Sequence, residues 1–269
     1  MHRISGAESG GGESPHADIV TAVTRHDLDL EDQLGFLAAV LPPLPARLLD
    51  VGCGSGQVSA ALITQGFDVV GLDPDPEVVQ VAVEAGVRAV EASFLDYGSE
   101  ELFDVVLFSR SLHHVPDLAA AVDRACALLQ PGGLVVADEF ALEQTDSATA
   151  AWFYGMLDLL ESTGLNEEHG HALQASVDEE PLTRWQHDHA EVPPLHTGAA
   201  MLEELSRRLA IEHTERTAYL FGYLCRRLER SDRGYEVAKA VLQLERVLIR
   251  EGVVAPIGLR LTGRLRRHA

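Results

Sequence analysis

Three short segments of the 269-residue chain carry residue types that could bind a ligand and act on it. The first is Leu48-Leu49-Asp50-Val51-Gly52-Cys53-Gly54-Ser55-Gly56, where three glycines follow an apolar run in Gly-x-Gly-x-Gly spacing. Glycines there let the backbone turn tightly and let a ligand approach the main chain. The spacing differs from the Gly-x-Gly-x-x-Gly of dinucleotide sites, whose helix N-terminus faces a pyrophosphate. Asp50, just ahead of the turn, would oppose a phosphate and suits a cationic ligand. The second segment, Val69-Val70-Gly71-Leu72-Asp73, ends in a carboxylate 17 positions after Gly56. That is close to the spacing of an acid that accepts two hydrogen bonds from a ribose diol. The third, Ser109-Arg110-Ser111-Leu112-His113-His114, places two imidazoles after an apolar run. Histidine titrates near neutrality, so His114 or His113 could take a hydroxyl proton; each reads as well as a structural or cofactor-wall residue.

These groups need elements to hold them. Apolar residues from Asp27 to Val40 recur with helical spacing, and Pro42, Pro43 and Pro45 end that helix. Short apolar runs then alternate with helical stretches. Strands are expected at Arg47 to Val51, Asp68 to Leu72, Val87 to Glu91, Phe103 to Phe108 and Leu134 to Ala137. Helices are expected at Gln57 to Gln65, Pro76 to Ala85 and Leu118 to Leu129, the last stopped by Pro131-Gly132-Gly133. This rhythm implies βαβ units and a parallel sheet, with ligands at the carboxyl ends of the strands. It breaks after Phe140. Residues 141 to 200 are aromatic and histidine-rich, and a helix follows at Ala199 to Leu209. An extended segment is expected around Glu212 to Phe221, a helix at Glu236 to Arg250 and a strand at Ile257 to Leu261. Residues 1 to 16 are Gly-, Ser- and Glu-rich and read as a disordered tail.

Composition narrows the classes. Apolar residues make up 46% of the chain and charged ones 23%, which is globular. No apolar run is long enough for a membrane helix, and the start carries no apolar signal region. The net charge of -21 disfavours nucleic acid and anionic lipid as partners. Cys53, Cys126 and Cys225 make no disulfide framework and read as thiols of a reducing cytoplasm. The pairs His169/His171 and His187/His189 have metal-like spacing but no cysteine pair beside them. They read as a polar surface, and no metal is expected.

Four motifs in order resemble the class I S-adenosylmethionine-dependent methyltransferases: the glycine loop, Val-Val-Gly-Leu-Asp-Pro-Asp, Phe-Asp-Val-Val-Leu-Phe-Ser-Arg-Ser-Leu-His-His-Val, and Leu-Leu-Gln-Pro-Gly-Gly-Leu-Val-Val-Ala-Asp-Glu-Phe. They cover Arg47 to Phe140. The resemblance implies a Rossmann-like, doubly wound, mostly parallel seven-stranded sheet with a helical cap after the fifth strand. It divides the chain into a cofactor core at 17–140, a cap at 141–200 and the rest of the sheet at 201–269. It implies S-adenosyl-L-methionine as cofactor. Asp50, Gly52, Cys53, Gly54, Gly56 and Ser109 would surround its methionine and ribose, and Asp73 with Pro74 its ribose. Ser93, where the family usually has an acid, and Phe94 would meet the adenine. The cap would select the acceptor, with Trp152, Tyr154, His189 and His196 as candidate contacts. The function implied is methyl transfer to a small molecule, with O-methylation ahead of N- or C-methylation and secondary metabolism as a setting. A protein or RNA methyltransferase, or cyclisation on the same fold, remain alternatives, because fold does not fix function.

Overall fold

The computed structural model describes residues 27–165, 179–190, 194–226 and 228–266. The proposed tail at 1–16 and the pair His169/His171 lie outside them.

The described chain begins with α1 (Leu28–Val40), started by Asp27, whose carboxylate accepts from the Leu30 amide. It continues as β1 (Arg47–Val51), α2 (Gln57–Thr64), β2 (Asp68–Asp73), α3 (Pro76–Glu84), β3 (Arg88–Glu91) and β4 (Phe103–Ser109). A short 3-10 turn at Leu112–His114 leads to α4 (Leu118–Leu128) and β5 (Leu129–Phe140). Aspartates at the starts of α3 and α4 repeat the Asp27 device: Asp75 accepts from Glu77 and Asp117 from Ala120. Beyond β5 come α5 (Ser147–Ser162), α6 (Pro181–Asp188), α7 (Gly198–Arg208), β6 (Leu209–Thr217), α8 (Leu220–Cys225), α9 (Asp232–Arg250) and β7 (Gly258–Leu265).

The seven strands form one sheet in the order β3-β2-β1-β4-β5-β7-β6. β1 to β5 are parallel, and β7 runs antiparallel between β5 and β6. The continuous apolar runs follow from burial on both faces. Leu48, Val105, Leu107 and Val136 face Phe36, Leu37 and Leu62 of α1 and α2. Leu49, Val106, Phe108 and Val135 face α4 and α7 through Ala121, Val122, Met201 and Leu205. After β3 the chain returns to place β4 beside β1, so the order reverses there. A crevice opens outside the strand ends at such a point.

A second apolar cluster joins α5 and α6 to α8 and α9 through Phe153, Tyr154, Trp185, Phe221, Leu224 and Val241. The helices of the segment expected as a cap therefore pack with residues far beyond 200, while α7 belongs to the sheet side. Four elements differ from expectation, one of them β7, which continues to Leu265, four residues past its expected end. β5 is longer, running from Leu129 through the Pro-Gly-Gly that reads as a stop, because Leu129 pairs with Phe103 before a register shift. α9 begins at Asp232, started by the Ser231 hydroxyl accepting from Gly234. The extended segment ends at Thr217, and Leu220 to Cys225 turn helical. The cause is tertiary: the fully buried Glu245 carboxylate accepts from the Tyr219, Leu220 and Phe221 amides at 2.8, 2.9 and 2.8 Å.

Burial raises the Glu245 pKa, and the three amide bonds oppose that. Glu245→Ala leaves three buried amides without acceptors and is expected to cost about 2–4 kcal/mol, read by urea unfolding at pH 7. A cost below about 0.5 kcal/mol, the scale of an ordinary surface change, would show that water replaces the cap.

Candidate functional site

Two cavities lie at the crevice. The larger, about 360 Å³, is lined by Gly52, Asp73, Pro74, Ser93, Phe94, Arg110, Ser111 and His114 among others. The smaller, about 200 Å³, is lined by Gln33, Asp50, Gly52, Cys53, Gly54, Ser55, Gln57, Val58, Ser109 and Arg110. Gly52 and Arg110 line both.

The glycine loop is held from the next strand. Asp73 Oδ2 accepts from the Gly54 amide at 2.9 Å, and Oδ1 accepts from Asp75 at 3.0 Å. Each carboxylate oxygen keeps further acceptor capacity for a diol in the larger cavity. Gly54 has φ +52, and a Cβ there would meet nothing within 4 Å. Its free side thus faces space that a ligand could take. Gly56 differs: at φ +78, its Cβ would lie 2.9 Å from Ala82 Cβ and Val87 Cγ2. Packing against α3 explains this glycine, and it lines neither cavity.

Asp50 is buried, and its Oδ2 accepts from the Ser59 hydroxyl at 2.6 Å. Its other oxygen, Oδ1, is buried without a hydrogen-bond partner. Burial pushes its pKa to about 6, with Asp73 adding to the rise and Ser59 opposing it. An unpartnered carboxylate oxygen on a residue lining this cavity fits an ammonium group, and it fits no phosphate. The same surroundings push the Cys53 thiol up to about 12, burial first and then Asp50 and Asp73, so it is no nucleophile.

At the end of β4 a carboxylate organises the turn. Glu139, fully buried, takes the Ser111 and Leu112 amides on Oε1 at 2.9 and 2.7 Å. Its Oε2 lies 2.6 Å from His113 Nδ1. His113 is buried behind the turn, with its ring 4.1 Å from that of His114, which lines the larger cavity. Phe94 meets Phe108 edge-on at 5.5 Å and closes the far wall.

Arg110 carries the unusual backbone of the site, the only non-glycine φ in the left-handed region among the described residues, at +58. Its guanidinium binds both carboxylate oxygens of Asp29 on α1 at 2.5 Å and lies 4.8 Å from the Tyr219 ring centre. Burial opposes the charge, but the Asp29 bonds and nearby Tyr219 and Asp138 outweigh it, and the group stays protonated. Beside it Asp138 Oδ1 pairs with Arg260 at 3.0 Å, and Arg260 also reaches Asp32 at 2.6 Å.

None of the four cap candidates is among the residues lining these cavities. Trp152 and Tyr154 join the second apolar cluster. The Tyr154 hydroxyl donates to Asp188 at 2.7 Å, and Arg184 sits over its ring. His189 Nδ1 lies 2.8 Å from the Trp185 carbonyl, and its ring lies tilted against that indole at 3.9 Å. His196 comes nearest: its Nε2 lies 2.8 Å from the carbonyl of Val115, itself a wall residue. His187 pairs with Glu179 at 2.7 Å. Sequence reasoning passed over Asp29, Gln33, Arg110 and Glu139. The available signals were the charged Arg110 between two serines at a strand end, the doublet Asp138-Glu139 closing an apolar strand, and Asp29 and Gln33 one helical turn apart.

Because its folded pKa exceeds the unfolded one, Asp50 stabilises the fold when protonated, and that stability is lost as pH rises from about 4 to about 6. Ionised Asp50 then costs roughly 3 kcal/mol in the unliganded protein. Asp50→Asn is expected to melt several degrees higher than the parent at pH 7 and alike at pH 4. Equal melting at pH 7 would mean that the carboxylate is already neutralised.

The chain matches the family described as "Methyltransferase domain" over residues 24–192. It is 38% identical over 109 residues to a protein named ubiquinone biosynthesis O-methyltransferase from Xylella fastidiosa (strain 9a5c), covering 38% of this chain and 44% of that one. A protein of the same name from Xanthomonas axonopodis pv. citri is 42% identical over 110 residues, covering 38% and 46%. The chain thus spans under half the length of these curated relatives. Among solved structures, an S-adenosylmethionine dependent methyltransferase from Mesorhizobium loti superposes with TM-score 0.55 at 22% identity, over 87% of this chain and 99% of that one. The cyclase SpnF does so with TM-score 0.51 at 19% identity, over 87% and 81%. These two show the fold, and it is one that also hosts a cyclase. With the glycine loop, Asp73 and the unpartnered Asp50 at one crevice, the chain belongs to the class I, S-adenosylmethionine-dependent methyltransferase family.

Proposed function

We propose that this chain transfers a methyl group from S-adenosylmethionine to a hydroxyl oxygen of a small-molecule acceptor. The observation that carries the reading is the pair of cavities meeting at Gly52 and Arg110, with Asp73 on one side and the unpartnered Asp50 oxygen on the other. Asp73 takes the ribose diol, Ser93 and Phe94 receive the adenine, and Pro74 flanks it. Asp50 accepts from the methionine ammonium. The orphan amides at the start of α2 suit the methionine carboxylate. The name shared by the relatives, O-methyltransferase, supports oxygen as the acceptor atom. The acidic surface agrees with a small acceptor in preference to nucleic acid.

The bound cofactor supplies an electrophilic methyl group on a sulfonium, so the protein mainly positions the partners. His114, on the wall of the larger cavity, takes the proton of the acceptor hydroxyl at an imidazole nitrogen. Glu139 fixes the turn that presents it and holds His113 Nδ1.

Asp73→Ala is expected to weaken S-adenosylmethionine binding more than tenfold, measured by calorimetry, with the fold kept. Unchanged affinity in the folded variant removes the assignment. His114→Ala is expected to lower kcat about 10²–10⁴-fold with cofactor affinity unchanged. Release of S-adenosylhomocysteine with labelled methyl appearing on a hydroxylated acceptor tests the whole reading. Cofactor binding without methyl release for any acceptor would favour cyclase-like use of the fold.

A further inference from the structure

Arg110 takes no part in the methyl transfer proposed above. Among the described residues it is the only arginine or lysine lining either cavity. Its side chain is 29% exposed, although α1, Tyr219 and Gln33 surround it. Its backbone at φ +58 is a conformation that a long side chain rarely adopts. Such strain is kept where the surroundings require one orientation, and it clusters at ligand-contacting positions.

The placement matters more than the strain. Arg110 and Gly52 are shared by the adenosyl-side and methionyl-side cavities. On the function proposed above, the sulfonium joins those two parts of the cofactor and so sits at their meeting point. Two cations, guanidinium and sulfonium, then border the place where the acceptor must enter. Asp29 neutralises one of them. On the function proposed above the cofactor carboxylate goes to the amides of α2, which leaves Arg110 for another anion. An anion on the acceptor would complete the arrangement, and a planar guanidinium suits a carboxylate with two parallel bonds.

We propose that Arg110 selects the acceptor: the substrate is a hydroxylated small molecule that also carries a carboxylate, held by Arg110 in competition with Asp29. The inference rests on the function proposed above. Asp29 keeps Arg110 extended and charged before the acceptor arrives, and gives up part of its contact when it does. A neutral acceptor leaves Asp29 in place and gains nothing from the guanidinium.

The test measures binding to the protein loaded with S-adenosylhomocysteine. Hydroxybenzoates, hydroxycinnamates and 3-hydroxy fatty acids are each compared with their methyl esters by calorimetry. At least one acid is expected to bind ten times or more tighter than its ester to the parent. Arg110→Met should erase that preference while cofactor affinity stays within threefold. Asp29→Asn, which removes the competing carboxylate and keeps Arg110, should tighten the same acid several-fold. That arm holds even if Arg110→Met fails to fold. The proposal is overturned if no acid is preferred, if the preference survives Arg110→Met, if Asp29→Asn leaves acid binding unchanged or weaker, or if Arg110→Met loses the cofactor instead. Failure of the parent to bind S-adenosylmethionine would sink the functional reading itself, whereas binding without acid preference sinks only this inference.

Discussion

The hydrogen bond from the Gly54 amide to Asp73 is the constraint on which the crevice depends. It fastens the loop after β1 to the carboxyl end of β2, two strands aligned by parallel pairing from Arg47–Asp68 to Val51–Leu72. With the loop so fixed, α2 starts at a set angle and Gly56 packs on α3. The loop also lines the smaller cavity with Asp50, whose second oxygen is buried there without a hydrogen-bond partner. Asp73, half-buried and already holding two amides, would on the proposed function meet a diol with little reorganisation. One residue therefore shapes the site in which the proposed function would also use it.

A second carboxylate plays the corresponding part across the crevice. Glu139 pins the turn after β4 through two amides and one imidazole. Both acids lie at strand ends, where backbone amides would otherwise be unsatisfied, and each converts a flexible connection into a wall. Glu245 does the same at α8, away from the chemistry. An acidic chain has an ample supply of such anchors, and buried ones serve as caps only where several donors converge.

Much of the core was legible in the sequence, because local pattern and tertiary context agree there. The runs Leu48-Leu49 and Val105 to Phe108 are apolar on both faces, and the sheet buries both. The glycine loop and Asp73 act through backbone geometry and strand-end placement, which spacing reveals. The cap was not legible. Trp152, Tyr154 and His189 look like pocket residues by type, yet they pack into a cluster assembled with α8 and α9. Nothing local announces that partnership. The helix at Leu220 depends on Glu245, a residue beyond any local window. Arg110 was hidden because its meaning comes from Asp29 and from a left-handed backbone, and neither leaves a periodic trace.

The position of β7 has a consequence for how the chain is born. β5 carries the apolar run Leu134 to Ala137, and among the described residues its free edge is covered only by β7, with Leu134 opposite Arg264 and Phe140 opposite Gly258. Ribosomes add roughly 5–20 residues per second, so that edge waits for seconds while the intervening helices emerge. An open apolar edge is a template for pairing with other chains. The helices from α5 to α9 are made during that interval, and their own cluster can gather beside the unfinished sheet. Translation speed and chaperone access through this window thus bear on the yield of native protein, even for variants whose final stability is unchanged.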